Sequence, residues 1–173
     1  MMAVGKYERE LKGILSGDKE VIEGATKTCS ESELDGYQAI HDIPFLVVRA
    51  GGSLGIDLIA LRGEISFPIE VKSSKETVLY FRDESRLSEQ AEWMKQVCID
   101  SNVLPLYAYR LKSQRGDKWR IYTMDINGMK KKHKVLQRKI PFIQTTVHDN
   151  FKMEWDKGMP LNELLSYLKH LIK

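Results

Sequence analysis

Apolar and polar positions divide this chain into a helix, a meander of strands, a second helix, two more strands and a closing helix. Residues 5–15 (GKYERELKGIL) place Tyr7, Leu11, Ile14 and Leu15 on one helical face. Residues 16–44 are polar and broken by Gly17, Gly24, Gly36 and Pro44. They predict irregular chain, with one short helix in SESELDGYQAI opening at a Ser cap. Residues 45–49 (FLVVR) form an apolar run ending in a charge, as a buried strand would. Gly51, Gly52 and Gly55 make a turn around Ser53; residues 56–61 and 65–73 follow as strands joined by a turn at 62–64.

Residues 83–99 give the clearest helix, with Leu87, Ala91, Met94, Val97 and Cys98 in period and Asp83 or Ser85 as its cap. Residues 103–111 and 119–124 read as strands. Residues 125–150 are basic and show no clear period. Residues 160–172 form a helix with Leu161, Leu164, Leu165, Leu168 and Leu171 inward and Pro160 in its first turn. The predicted fold class is α/β: a mixed central sheet of about five strands flanked by helices, in one domain spanning 1–173. Residues 16–44 are insertion-like, and residues 125–173 supply a C-terminal basic segment and helix.

Composition narrows the class. The 173 residues are 42% hydrophobic and 29% charged, enough for one globular core. No run of eighteen apolar residues exists, so no membrane span is expected. The opening MMAVGKYERE has no apolar stretch of the secretory kind. Cys29 and Cys98 lack metal spacing, which suits a reduced, cytoplasmic chain. The net charge of +3 is uneven: residues 110–139 carry eleven Lys/Arg against two acids, so +9, leaving −6 elsewhere. A basic stretch of that density suits a polyanionic partner, and Lys130, Lys131 and Lys132 are its centre.

The chemistry concentrates on Asp57, followed after twelve residues by Glu70–Val71–Lys72. Strand alternation puts Glu70 and Lys72 on one face and turns Val71 to the core. The predicted site lies at one edge of the sheet. Phosphodiester cleavage must neutralise charge at phosphorus and supply hydroxide near neutral pH. Hard carboxylate oxygens hold Mg²⁺, and Mn²⁺ substitutes. The metal acidifies bound water. A neighbouring lysine orients or deprotonates that water, or clamps the phosphate. A third acid comes from the first helix. Glu8 is the choice over Glu10, which lies about 200° round the helix and would point toward solvent. An exposed Glu70–Lys72 ion pair is the bland alternative.

The segments YERELKGIL, FLVVRAGGSLGIDLIAL, FPIEVKSSKE, LYFRDESRLSEQAEWMKQV and VLPLYAYRL resemble the archaeal Holliday junction resolvases, a branch of the PD-(D/E)XK nuclease superfamily. The arrangement VR-x-x-GS-x-x-x-DL followed by IEVK carries the resemblance, which covers roughly residues 5–124. It implies a restriction-endonuclease-like core that cleaves four-way DNA junctions as a homodimer. Glu8, Asp57 and Glu70 would hold the metal, and Lys72 would be catalytic. Ser53 would act at the scissile phosphate, and Arg49 and Arg9 would contact DNA. Arg49 has a second reading, as a structural cation for Asp57 or Glu70. Gln90 would face the site. Residues 16–44 exceed the family's helix-to-strand turn and would form a side-wing or a dimer surface. The dimer's apolar surface would otherwise come from the helix carrying Leu87 and Val97, or from the C-terminal segment. His41, His133, His148 and His170 are scattered and read as surface residues. Trp93 and Trp155 read as packing. Competing functions are a repair or restriction-type nuclease on the same core, a catalytically silent DNA-binding subunit, and binding through the basic segment alone.

Overall fold

A computed structural model describes residues 5–51, 55–81, 86–148 and 150–172, and among residues 86–88 the backbone only. The chain opens with α1 (Lys6–Leu15), α2 (Lys19–Ala25) and α3 (Glu31–Gln38). A meander follows: β1 (Leu46–Arg49), β2 (Leu58–Arg62) and β3 (Ile65–Ser74). Then come β4 (Val78–Tyr80), α4 (Arg86–Ser101), β5 (Leu106–Leu111) and β6 (Trp119–Tyr122). The last part holds α5 (Lys131–Lys139), β7 (Gln144–Thr145), β8 (Phe151–Glu154), β9 (Met159–Pro160) and α6 (Leu161–Ile172).

Six strands form the main sheet in the order β1-β2-β3-β5-β6-β9. All of its pairings are antiparallel except β3 with β5, which run parallel and are bridged by the α4 crossover. The helix–strand–strand–strand–helix order expected from the sequence is present, on a mixed sheet one strand larger than expected. β4, β8 and β7 make a second, three-stranded sheet. All six residues of β5 are buried, as the apolar run LYAYRL requires of an interior strand.

Three expectations change. Residues 45–49 do not make a strand buried on both faces. β1 is a lateral edge whose inner face alone meets the core, so Val47 is buried while Leu46 is 65% and Val48 48% exposed. Residues 16–44 are not irregular. Asp18 caps α2 by accepting from the Glu20 and Val21 N–H groups, and Ser30 with Glu33 forms the capping box of α3. Nor is this segment a side-wing: Ile22, Ala25, Tyr37 and Ile40 belong to the same buried cluster as the sheet. A Cβ on Gly36 would come within 2.4 Å of the Asn162 carbonyl oxygen, so only glycine lets α3 cross α6 this closely.

Asp117 fastens this crossing. It is 1% exposed, and its carboxylate accepts from the Tyr37 hydroxyl (2.6 Å), the Trp119 N–H (3.0 Å), and the N–H and Nδ2 of Asn162 (both 2.8 Å). It thus caps the first turn of α6 from another part of the chain, where a helix favours negative charge. α6 buries Leu161, Leu164, Leu165 and Leu168 as expected, and α4 buries Ala91, Met94 and Cys98. The caps expected at Asp83 or Ser85, and the side chain of Leu87, lie outside the description. No helix among the described residues is long and apolar enough to cross a membrane.

Candidate active site

Asp57 sits where the β1–β2 hairpin opens. Its carbonyl accepts from the Ala50 N–H and its N–H donates to the Ile69 carbonyl, both at 2.9 Å. Its Oδ2 accepts from the Val71 N–H at 2.7 Å, which holds the carboxylate against β3 between Glu70 and Lys72. On β3, Lys72 Nζ donates to Glu70 Oε1 at 2.6 Å, so the two share a face as their spacing predicts. Their side chains are only 13% and 7% exposed, which removes the bland reading of a solvated ion pair. Val71 packs half-buried against the core. The site is not at a lateral edge of the sheet: β3 is the third of six strands, paired on both sides.

The pair is only half satisfied. Glu70 Oε2 is buried with no hydrogen-bond partner. Burial above all, and then the nearby Asp57 carboxylate, push the Glu70 carboxyl up to about 7 against the opposing pull of Lys72. Two carboxylates with one orphaned oxygen are a place for a proton or a cation, and their hard oxygens suit Mg²⁺ or Mn²⁺. Tyr107 stands opposite Glu70 in the β3–β5 register, fully buried, its phenol driven upward by burial first and then by Glu70's charge. Phe81 packs on Tyr107 at 5.9 Å between ring centroids. Sequence reasoning missed this aromatic wall, because YAY in an apolar strand reads only as core.

Glu8 does not join the two carboxylates. Arg49, at the end of β1, reaches back and donates to Glu8 Oε2 at 3.1 Å. A Cβ on Gly5, whose φ is +77, would lie 2.3 Å from the Arg49 guanidinium, so the pair rests on bare glycine backbone. Among the described residues no three His, Cys, Asp or Glu side chains form a metal-holding group. Arg49 is therefore a partner of Glu8, not of Asp57 or Glu70. Glu10 is not left toward solvent. It accepts from Arg110 Nε and Trp119 Nε1, each at 2.9 Å, and Arg110 also lies 4.3 Å from the centre of the Tyr7 ring. Arg9 is exposed on the same helix.

Ser53 and its neighbour Gly52 lie outside the described residues. Gln90 packs beside the loop that delivers Asp57: a Cβ on Gly55, whose φ is +93, would be 3.0 Å from the Gln90 Cβ. Lys130, Lys131 and Lys132 do not converge on the carboxylates. They border a cleft with Ser66, six residues before Lys72 on β3 and so about 20 Å away along the strand. His133 is no surface residue: its half-buried ring accepts the Ser66 N–H at 3.3 Å, on β3 ahead of its pairing with β5, which starts at Ile69. Trp155 is buried under the Arg120 guanidinium at 3.7 Å, as packing predicts, and Trp93 packs half-buried against the core.

No protein-family model and no curated protein matches the chain. Among solved structures it is similar to Archaeoglobus fulgidus Hjc, a Holliday junction resolvase from an archaeal hyperthermophile. The two are 20% identical with a TM-score of 0.48, over 70% of this chain and 82% of that one.

Proposed function

We propose that this protein is a divalent-metal-dependent endodeoxyribonuclease that resolves four-way DNA junctions in recombination or repair. The observation that carries the cleavage reading is the buried Asp57–Glu70–Lys72 cluster with its orphaned Glu70 oxygen. The junction reading rests on the sequence motifs that surround it. Asp57 and Glu70 would hold Mg²⁺. When bound, the ion acidifies water and offsets the charge that builds on phosphorus.

The chain's own residues do the rest. The Val71 N–H aims Asp57 from the rigid strand. Lys72 Nζ is a hydrogen-bond donor in this state and keeps that role toward a phosphate oxygen once Glu70 is otherwise engaged. A phosphate arriving at the rim draws the Arg49 guanidinium and releases Glu8, which then completes the acidic set. Ser53, between Gly52 and Gly55 in the sequence, and Arg9, on the helix that carries Glu8, would both touch DNA. Two symmetric cuts call for two copies, so the working form is a two-fold homodimer.

The test compares a labelled four-way junction with a matched linear duplex in Mg²⁺, with Asp57→Asn and Lys72→Ala alongside. Paired symmetric nicks in the junction alone are expected. Each substitution should slow them by about 10³-fold or more, roughly 4 kcal/mol of barrier. Cutting of both substrates would leave a nuclease without junction choice. Tight metal-independent binding with no cutting would remove the enzyme reading.

A further inference from the structure

The lysine cleft at the other end of β3 has no part in the cluster above, and its three lysines lie outside residues 5–124, where the family motifs run. It encloses about 420 Å³ and is bordered by Lys130, Lys131 and Lys132, with Ser66, Asn102 and one acid, Glu64. None of the three lysines has an ion-pair partner among the described residues. They also occupy the wrong end of a helix. Lys130 is the N-cap of α5 and Lys131 and Lys132 fill its first turn, where no acid and no capping side chain is present. A helix start is already positive, so three cations there repel its dipole. Asn102 and Lys131, the non-glycine residues with left-handed backbone among those described, both border the cleft. Unpaired charge gathered at a cost to its own helix is the arrangement an anion relieves.

The distance separates this anion from one at the carboxylates. Lys72 and Ser66 are about 20 Å apart, so a phosphate in the cleft cannot be the one at the carboxylates. Along the axis of B-form DNA that span covers about six base pairs. We infer that the Lys130–Lys131–Lys132 cleft is a second phosphate-binding site, which holds the backbone of a DNA arm, on either strand, about six base pairs along the axis from the bond that is cut. The inference rests on branched DNA being the substrate. It concerns grip, and the carboxylate cluster concerns cleavage, so the two can fail separately.

Binding of the intact protein to a labelled four-way junction is measured in EDTA over a NaCl series, where no cleavage occurs. Lys130→Ala, Lys131→Ala and Lys132→Ala together should weaken binding and reduce the slope of log affinity against log salt by about 2 to 3. The matching triple Arg variant should restore the slope. Thermal stability should hold or rise in the Ala variant, because the helix start loses repelling charge. The saturating single-turnover rate in Mg²⁺ should stay within about two-fold, because the cleft lies about 20 Å from the carboxylates. Neutral methylphosphonate linkages placed on each strand in turn, about six base pairs from the cut, should weaken the parent at one of them and leave the triple Ala variant unaffected. An unchanged salt slope, a saturating rate that falls as far as affinity, or sensitivity only to linkages at the cut itself would overturn the site. Absence of cleavage in the parent, with the slope change intact, would count against the nuclease reading alone.

Discussion

The two flanks of α1 carry the same chemistry with opposite consequences. Glu8 and Glu10 stand two residues apart and each meets an arginine. Glu10 holds Arg110 and the Trp119 indole in a pair whose side chains are 19% and 10% exposed. Glu8 holds Arg49 with exposures of 26% and 42%, and among the described residues no further hydrogen bond reinforces that pair. A buried pair with extra hydrogen bonds is fixed, because removing one partner strands a charge away from water. A half-exposed pair costs little to open. The helix thus anchors itself with one acid and leaves the other exchangeable beside the site. Glu70–Lys72 falls between them, buried like the first pair and incompletely satisfied.

Stability measurements separate the three. Glu10→Ala should cost the most, about 3 kcal/mol in denaturant unfolding, because Arg110 and the indole N–H both lose their acceptor. A cost under about 1 kcal/mol would erase the distinction between the flanks. Glu70→Gln should act in the other direction. In the metal-free protein the Glu70 carboxyl titrates near 7 against 4.5 in the open chain. The folded state therefore holds an extra proton between those values, and stability falls as pH rises through that window. At pH 8, Glu70→Gln should be about 1–3 kcal/mol more stable than the parent and should no longer cleave. A parent whose melting temperature stays flat from pH 5 to 8, with no gain in the variant, would contradict the strained-carboxylate reading. Glu8→Gln should change stability least, by less than about 1 kcal/mol. It should still slow cleavage by about 100-fold if Glu8 completes the acidic set. An unaffected rate would leave Glu8 as a rim residue.

Much of this geometry was legible because it is local. Glu70 and Lys72 share a face through strand alternation, and that needs two residues. α4 and α6 are long enough to repeat their apolar period, so their buried faces are readable. α2 and α3, at seven and eight residues, complete barely two turns, and only the Ser cap of SESELDGYQAI betrayed one of them. β4, β7 and β9 are two or three residues each and offer no alternation to detect. The fates of Glu8 and Glu10 were hidden for a different reason. Their partners lie 41 and 100 residues away, and no helical period says which arginine will arrive. Likewise FLVVR looks the same whether one neighbouring strand pairs with it or two.

Asp117 sets a timetable for assembly. Its carboxylate reaches back 80 residues to Tyr37 and forward 45 to Asn162. Contacts of such sequence separation close late, after loops of that length have paid their entropy. As the chain leaves the ribosome, α3 can form its capped turns early but cannot lock in place until Asn162 has emerged. The early helices therefore wait, partly uncovered, while the whole of the sheet is made, and α6 is the helix that seats them.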